Sequence, residues 1–225
     1  MTSQPAAKAL RASLTEKLGL DPNAFPIAIS MEDGSIVMEG TLKSVSLKKR
    51  ALLIAMSIPG VEGVVDRLKV RPSTAMSDDE IRDHLKAAFD FEPAFQGLDI
   101  TAEIKDGAVD LEGEVWSLSH KRLAGVLAWW VPGVQDVINS IEVNPPEKDS
   151  DDELRDAVMI ALEKDQLVDS HSIRVSADSF VITLEGIVAS QAALEAAEDD
   201  AWFTWGVNTV VNKLTVDETK ARENH

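Results

Sequence analysis

One spacing governs every other reading of this chain: markers recur at a fixed step of 73 residues. The turn Pro59-Gly60-Val61 returns as Pro132-Gly133-Val134 and again as Trp205-Gly206-Val207. Glu39-Gly40, Glu112-Gly113 and Glu185-Gly186 keep the same step without a gap, as do Ser44, Ser117 and Ser190, and Val70, Val143 and Val216. Self-similarity at a fixed period means repeated structural units. The chain therefore divides into three copies, 1–73, 74–146 and 147–225, the last with a short polar C-terminal tail. The joints Arg71-Pro72-Ser73-Thr74 and Asn144-Pro145-Pro146-Glu147 are short and proline-containing, hence semi-rigid.

Each copy yields to the same local rules. Ser77-Asp78-Asp79-Glu80 and Ser150-Asp151-Asp152-Glu153 match the S-x-x-E capping box and precede apolar residues at helical spacing, Ile81, Leu85 and Phe89 in one copy, Leu154, Val158 and Leu162 in the next. Two alternating stretches follow across Asp106-Gly107, a pair suited to a tight hairpin; copy one carries Asp33-Gly34 there and copy three Ser179-Phe180. A serine then caps a second helix that runs to the glycine turn, and Val137 to Val143 reads as a last strand. The unit is αββαβ. Strands two and three are joined through a helix and so lie parallel. The predicted fold class is α+β: three tandem units, each a small mixed three-stranded sheet with two helices on one face.

Composition bounds the function classes. The chain has no cysteine, so it can hold neither a disulfide framework nor a thiolate metal site. Its longest apolar run, nine residues, is far below the roughly 20 needed to cross a bilayer, and its start has no apolar signal-peptide core. The expectation is cytoplasmic, or periplasmic if a leader has been removed. A net charge of −17 argues against a nucleic-acid partner. The four histidines fall at unrelated positions of the repeat, so no catalytic or metal-ligating frame is visible. No catalytic residue, metal or cofactor is expected, and the chain reads as non-enzymatic. The acidic first-turn residues, such as Asp78 and Asp151, are read as caps and solvated helix faces.

Charge is unevenly shared: copy one carries +3, copy two −9 and copy three −11. Lys48-Lys49-Arg50 is the basic patch through which copy one could meet an anionic surface. Gly60, Gly133 and Gly206 suit a left-handed turn closing the second helix. Gly40, Gly113 and Gly186 close a strand where a bulge or close contact excludes a side chain. The second helices carry a further signal. Ala124, Leu127, Ala128 and Val131 form the stripe that covers the sheet, and Ala51, Ile54, Ala55 and Ile58 form it in copy one. Val126 and Trp129, like Leu53 and Met56, lie opposite, with Trp130 on the flank. Trp202 and Phe203 match Trp129 and Trp130, but Asp200 and Thr204 stand where copy two has Leu127 and Val131. Either that helix is rotated or its sheet is covered differently. A helix apolar on all sides is buried on all sides. Its extra face has three outlets: another copy in the chain, a second chain, or a lipid interface.

The order αββαβ, the strand ending DGAVDLEG, the small residues Ala124 and Ala128 and the ending VPGVQDVINSIEV resemble the BON domain, three times over. That resemblance implies a non-catalytic bacterial module, stress- or envelope-associated, attaching to phospholipid or other envelope surfaces, with some relatives similar to potassium-binding proteins. The reading that follows is a binding or scaffold protein acting by protein–protein contact, between repeats and by self-association. The alternative is a module for phospholipid, the cell envelope or potassium. The interaction surface is placed on Trp129, Trp130, Val126, Leu53, Met56, Trp202 and Phe203.

Overall fold

The computed structural model describes residues 3–21, 26–32 and 34–217. Asp33 of the first hairpin turn and His225 lie outside the described residues. The chain divides into two compact units, residues 1–71 and 72–225, so copies two and three form one body and copy one another.

In the first unit, helix α1 (Ser3–Leu18) precedes the hairpin β1 (Ile27–Glu32) and β2 (Ser35–Leu42), then α2 (Val45–Met56) and β3 (Gly63–Val70). Strand β2 is central, antiparallel to β1 and parallel to β3. Leu10 and Leu14 of α1, Ala51 and Ala55 of α2, and Ile36, Met38 and Leu68 of the sheet form one buried cluster, so both helices cover the same face. Small alanines let α2 approach the sheet closely.

The second unit repeats this order twice: α3 (Asp78–Phe91), β4 (Asp99–Lys105), β5 (Ala108–Val115), α4 (Leu118–Trp130), β6 (Asp136–Asn139) and β7 (Glu142–Val143), then α5 (Asp151–Lys164), β8 (Ile173–Asp178), β9 (Val181–Val188), α6 (Gln191–Phe203) and β10 (Thr209–Val216). Again each middle strand is antiparallel to its hairpin partner and parallel to the strand after the helix. The third strand of copy two differs from the expected single run. It breaks at Ser140-Ile141, where the Ser140 N–H donates to Leu111 O at 2.8 Å and its hydroxyl to Asp110 at 3.0 Å, and both pieces pair with β5.

Local chemistry explains the boundaries. Ser44, Ser117 and Ser190 each accept a backbone N–H three residues on and cap α2, α4 and α6. Ser77 and Glu80 close a full capping box on α3. The backbone N–H and then the hydroxyl of Ser77 hold the Glu80 carboxyl below the usual range. Asp78 and Asp151 do more than cap: each reaches across to the hairpin turn and accepts two backbone N–H groups. Asp106 and Gly107 donate to Asp78 at 2.9 Å each, and Ser179 and Phe180 donate to Asp151 at 2.9 and 2.8 Å. That clamp holds the turn in copy three although Ser179 and Phe180 sit at φ 54° and 61°, a region glycine and asparagine prefer.

Among the structural glycines, Gly113 shows why no other residue serves. At φ 130°, a Cβ there would lie 2.3 Å from the backbone oxygen of Asp99, and Gly40 and Gly186 meet the same crossing backbone at 2.1 Å. Gly60 and Gly206 take positive φ, as a left-handed helix stop requires. Gly133 does not. It is excluded from a side chain by packing instead: its Cβ would fall 2.6 Å from Met76 Cβ and 2.9 Å from Ile81.

Candidate functional site

The outer faces of α4 and α6 meet. Trp129 stacks on Phe203 with ring centroids 5.5 Å apart and planes 10° from parallel. Trp130 donates its indole N–H to Asp200 at 3.0 Å. Val126 and Trp202 are buried, and Trp129, Trp130 and Phe203 are half-buried. The approach is close because position 125 is glycine: a Cβ there would sit 3.7 Å from the Phe203 carbonyl oxygen and 3.0 Å from Asn139. The face that the sequence leaves over in copy two is thus covered by the matching face of copy three.

Helix α6 is not rotated. Ala197 and Ala201 are fully buried in the positions of Ala124 and Ala128. What changes is the neighbour: Asp200, in the position of Leu127, points at α4 and lies only 1% exposed. Burial pushes its carboxyl up to about 8; the Trp130 N–H pulls the other way, and the negative charges of Asp165 and Asp199 add to the rise. Its buried Oδ2 accepts from no donor among the described residues. Thr204, also buried, donates its hydroxyl to the Asp200 carbonyl at 3.2 Å. Asp200 is therefore an uncharged acid at neutral pH, held in the seam between two copies.

A second anchor is Arg122 of α4, 1% exposed. Its Nε donates to Trp205 O at 2.9 Å and its Nη2 to both oxygens of Asp149 at 2.6 Å. A cation inside an apolar helix face is tolerable only when paired and hydrogen-bonded, and copy three provides both partners. Neighbouring Lys121 lies 4.2 Å from the centroid of the Trp205 ring. Burial lowers the pKa of Lys121, against the pull of Glu142. The joint is tied in as well: Glu147 accepts the Leu118 N–H at 2.7 Å at the start of α4. At the far end of α4 from that stack, Lys164 of α5 bonds Glu92 of copy two at 2.8 Å. Burial works to raise Glu92, but the bonds from Lys164 and the Ala94 N–H outweigh it and leave its carboxyl below the usual range.

Copy one presents the same helix positions differently. Leu53 is half-buried and Met56, the counterpart of Trp129, is 59% exposed. The basic patch does not act as three surface cations. Lys48 is 2% exposed, its ammonium donating to Leu68 O at 2.7 Å and lying 3.1 Å from Asp66; only Lys49 and Arg50 are exposed.

Arg122, Asp149 and the pairing of Asp200 with Trp130 carry the seam, and each occurs in one copy only. The available signal was chemical misfit: an arginine and an aspartate each placed within an apolar helix face.

A family model described as BON domain matches residues 6–72, 77–145 and 150–218. Osmotically-inducible protein Y of Escherichia coli (strain K12) is 28% identical over 156 residues, covering 67% of this chain and 78% of that protein. A solved structure of CdsD, a structural protein of the Type III secretion system of Chlamydia trachomatis, is similar over 96% of this chain and 97% of its own at 13% identity, with a TM-score of 0.27.

Proposed function

The chain belongs to the BON domain family, and from that premise we propose that it is a non-enzymatic binding and assembly protein whose remaining contact face is α2 of copy one. The observation that carries this reading is the use of the same helix face elsewhere in the chain. In copies two and three the outer faces of the second helices are spent on each other, Trp129 on Phe203. Copy one has the equivalent positions, Leu53 and Met56, with Met56 exposed. Three copies cannot pair off within one chain. A second molecule offers the complement, α2 against α2, in an interface that repeats the α4–α6 seam about a two-fold axis. The similarity to an osmotically inducible protein supports a role in stress.

Light scattering tests this directly. The wild-type chain is expected at twice its 24.4 kDa mass, and Met56→Glu at the single mass. A single mass for the wild type at all accessible concentrations would remove self-association. A second reading rests on Lys49 and Arg50, which are exposed on that helix in a copy of net charge +3. It predicts flotation with anionic vesicles that neutral vesicles do not support.

A further inference from the structure

Each sheet ends in two outer strands, and an exposed outer strand is a template for another strand unless something blunts it. The third strands are blunted. Asp66 takes the Leu68 N–H of β3 on its side chain at 2.9 Å, and Asn212 takes the Leu214 N–H of β10 at 3.0 Å. In copy two the third strand is broken at Ser140-Ile141. Among the first strands, β1 follows Pro26, which has no N–H to offer. Strand β4 has no such protection among the described residues, and it lies on the side of its sheet away from the seam: α4 packs on β5 and β6, α3 on β4.

Helix α3 is set back from this edge. Ile100 and Ala102 point to the helix side yet are only half-buried, and a space of about 370 Å³ separates them from Leu85 and Phe89 of α3. Thr101, whose side chain alternates to the opposite face, lines the same space, which therefore reaches the backbone edge of the strand. Ala102 stands where copies one and three carry Ile29 and Val175, so the room is particular to copy two. The strand is also self-complementary. Set antiparallel to a second β4 about Ala102, it puts Asp99 opposite Lys105, Ile100 opposite Ile104 and Thr101 opposite Glu103, each pair on one face of the sheet. Asp99 and Lys105 are exposed and have no ion-pair partner among the described residues. The same operation in the other copies opposes Pro26 to Glu32 and Ser172 to Asp178, with no cation for either acid.

We propose that β4 pairs antiparallel with β4 of a second copy of this chain about a two-fold axis at Ala102, with two Asp99–Lys105 ion pairs on the open face and Ile100 and Ala102 covered on the other. The contact lies in residues 72–225 and does not depend on the α2 face of copy one. Seven residues from each chain bury less than the ~1,000 Å² of a stable interface, so the pairing is weak and forms only above the concentrations at which the α2 contact is read.

Sedimentation equilibrium of the full chain carrying Met56→Glu, which takes away the α2 contact, tests this up to millimolar concentration. The mass is expected to rise from one chain to two. Adding Lys105→Asp, or instead Asp99→Lys, turns both symmetry-related pairs repulsive and should weaken the association roughly tenfold. Carrying both exchanges the charges and should restore it, a result that a merely structural role would not give. Both positions are exposed, so each variant should keep the circular dichroism spectrum of its parent. A Met56→Glu chain that stays at the single mass, an association that neither single reversal weakens, or a double exchange that fails to restore it would each overturn the proposal. Failure of the α2 contact shows separately, as a single mass for the dilute wild type, and leaves this titration unaffected.

Discussion

Replacing Asp200 by asparagine should stabilise this protein at pH 8 and leave it unimproved at pH 4. In the folded chain the Asp200 carboxyl stays protonated up to about pH 8, whereas its ordinary value is 3.8. Between those values the folded state holds a proton that the unfolded state has released. Stability must then fall as pH rises, by ~1.4 kcal/mol per pH unit from this group, and level off above about pH 8. Over the whole window the loss is on the order of 5 kcal/mol, a large share of what a domain of this size possesses. Carboxylates held below their ordinary value, such as Glu92, act only below about pH 4.5 and with the opposite sign. Asparagine keeps an oxygen for the Trp130 N–H and places an N–H₂ where the buried Oδ2 stands, able to donate to the Asp165 carboxylate. All five tryptophans lie in residues 72–225, so urea unfolding followed by tryptophan fluorescence reads this unit alone. Wild type should lose about 3 kcal/mol between pH 5 and pH 7, and Asp200→Asn should not. A wild-type chain with pH-independent stability across that range, or a variant with the same slope, would refute the placement of Asp200 in a water-excluded seam.

Other perturbations follow from the same geometry. Arg122→Ala takes the guanidinium from the Trp205 carbonyl and from Asp149, which keeps only the Ser150 N–H at 2.8 Å among the described residues, and should cost roughly 3–5 kcal/mol in the same assay. Gly113→Ala forces a Cβ to within 2.3 Å of the Asp99 oxygen; the purified variant should melt well below wild type or fail to fold, whereas Gly125→Ala, meeting the Asn139 side-chain nitrogen at 3.0 Å and the Phe203 carbonyl oxygen at an ordinary 3.7 Å, should lose far less. Asp151→Ala removes the acceptor for both N–H groups of the Ser179-Phe180 turn and should destabilise by about 2–3 kcal/mol, more than Asp78→Ala, whose turn contains a glycine.

What the sequence makes legible is what every unit needs for itself. The capping serines, the glycines where strand backbones cross and the alanines under the second helix must recur in each copy, and a period of 73 exposes them. The seam is of another kind. It depends on which copies meet, and its parts appear once: arginine at 122, aspartate at 200, glycine at 125. Position 200 shows the limit well. By spacing it belongs to the stripe that covers the sheet, and a charged residue there looks like a rotated helix. In the folded chain the stripe is narrower, two alanines suffice, and the position faces α4, where an indole N–H meets the acid. Lys48 shows the converse. Adjacent to Lys49 and Arg50 it reads as part of a surface patch, but it turns inward to Leu68 O and Asp66, leaving a smaller exposed charge than the tripeptide suggests.

The central claim is that copies two and three form a single body because Trp129 and its neighbours are the glue between them. Native-state hydrogen exchange in the full chain measures this most directly, by comparing protected amides of α4 and α6 in wild type and Trp129→Ala. Loss of the stack and its buried area should lower the opening free energy of both helices together, by roughly 2–4 kcal/mol. If only α4 responds while α6 keeps its wild-type protection, the two copies fold independently and the seam is not what joins them.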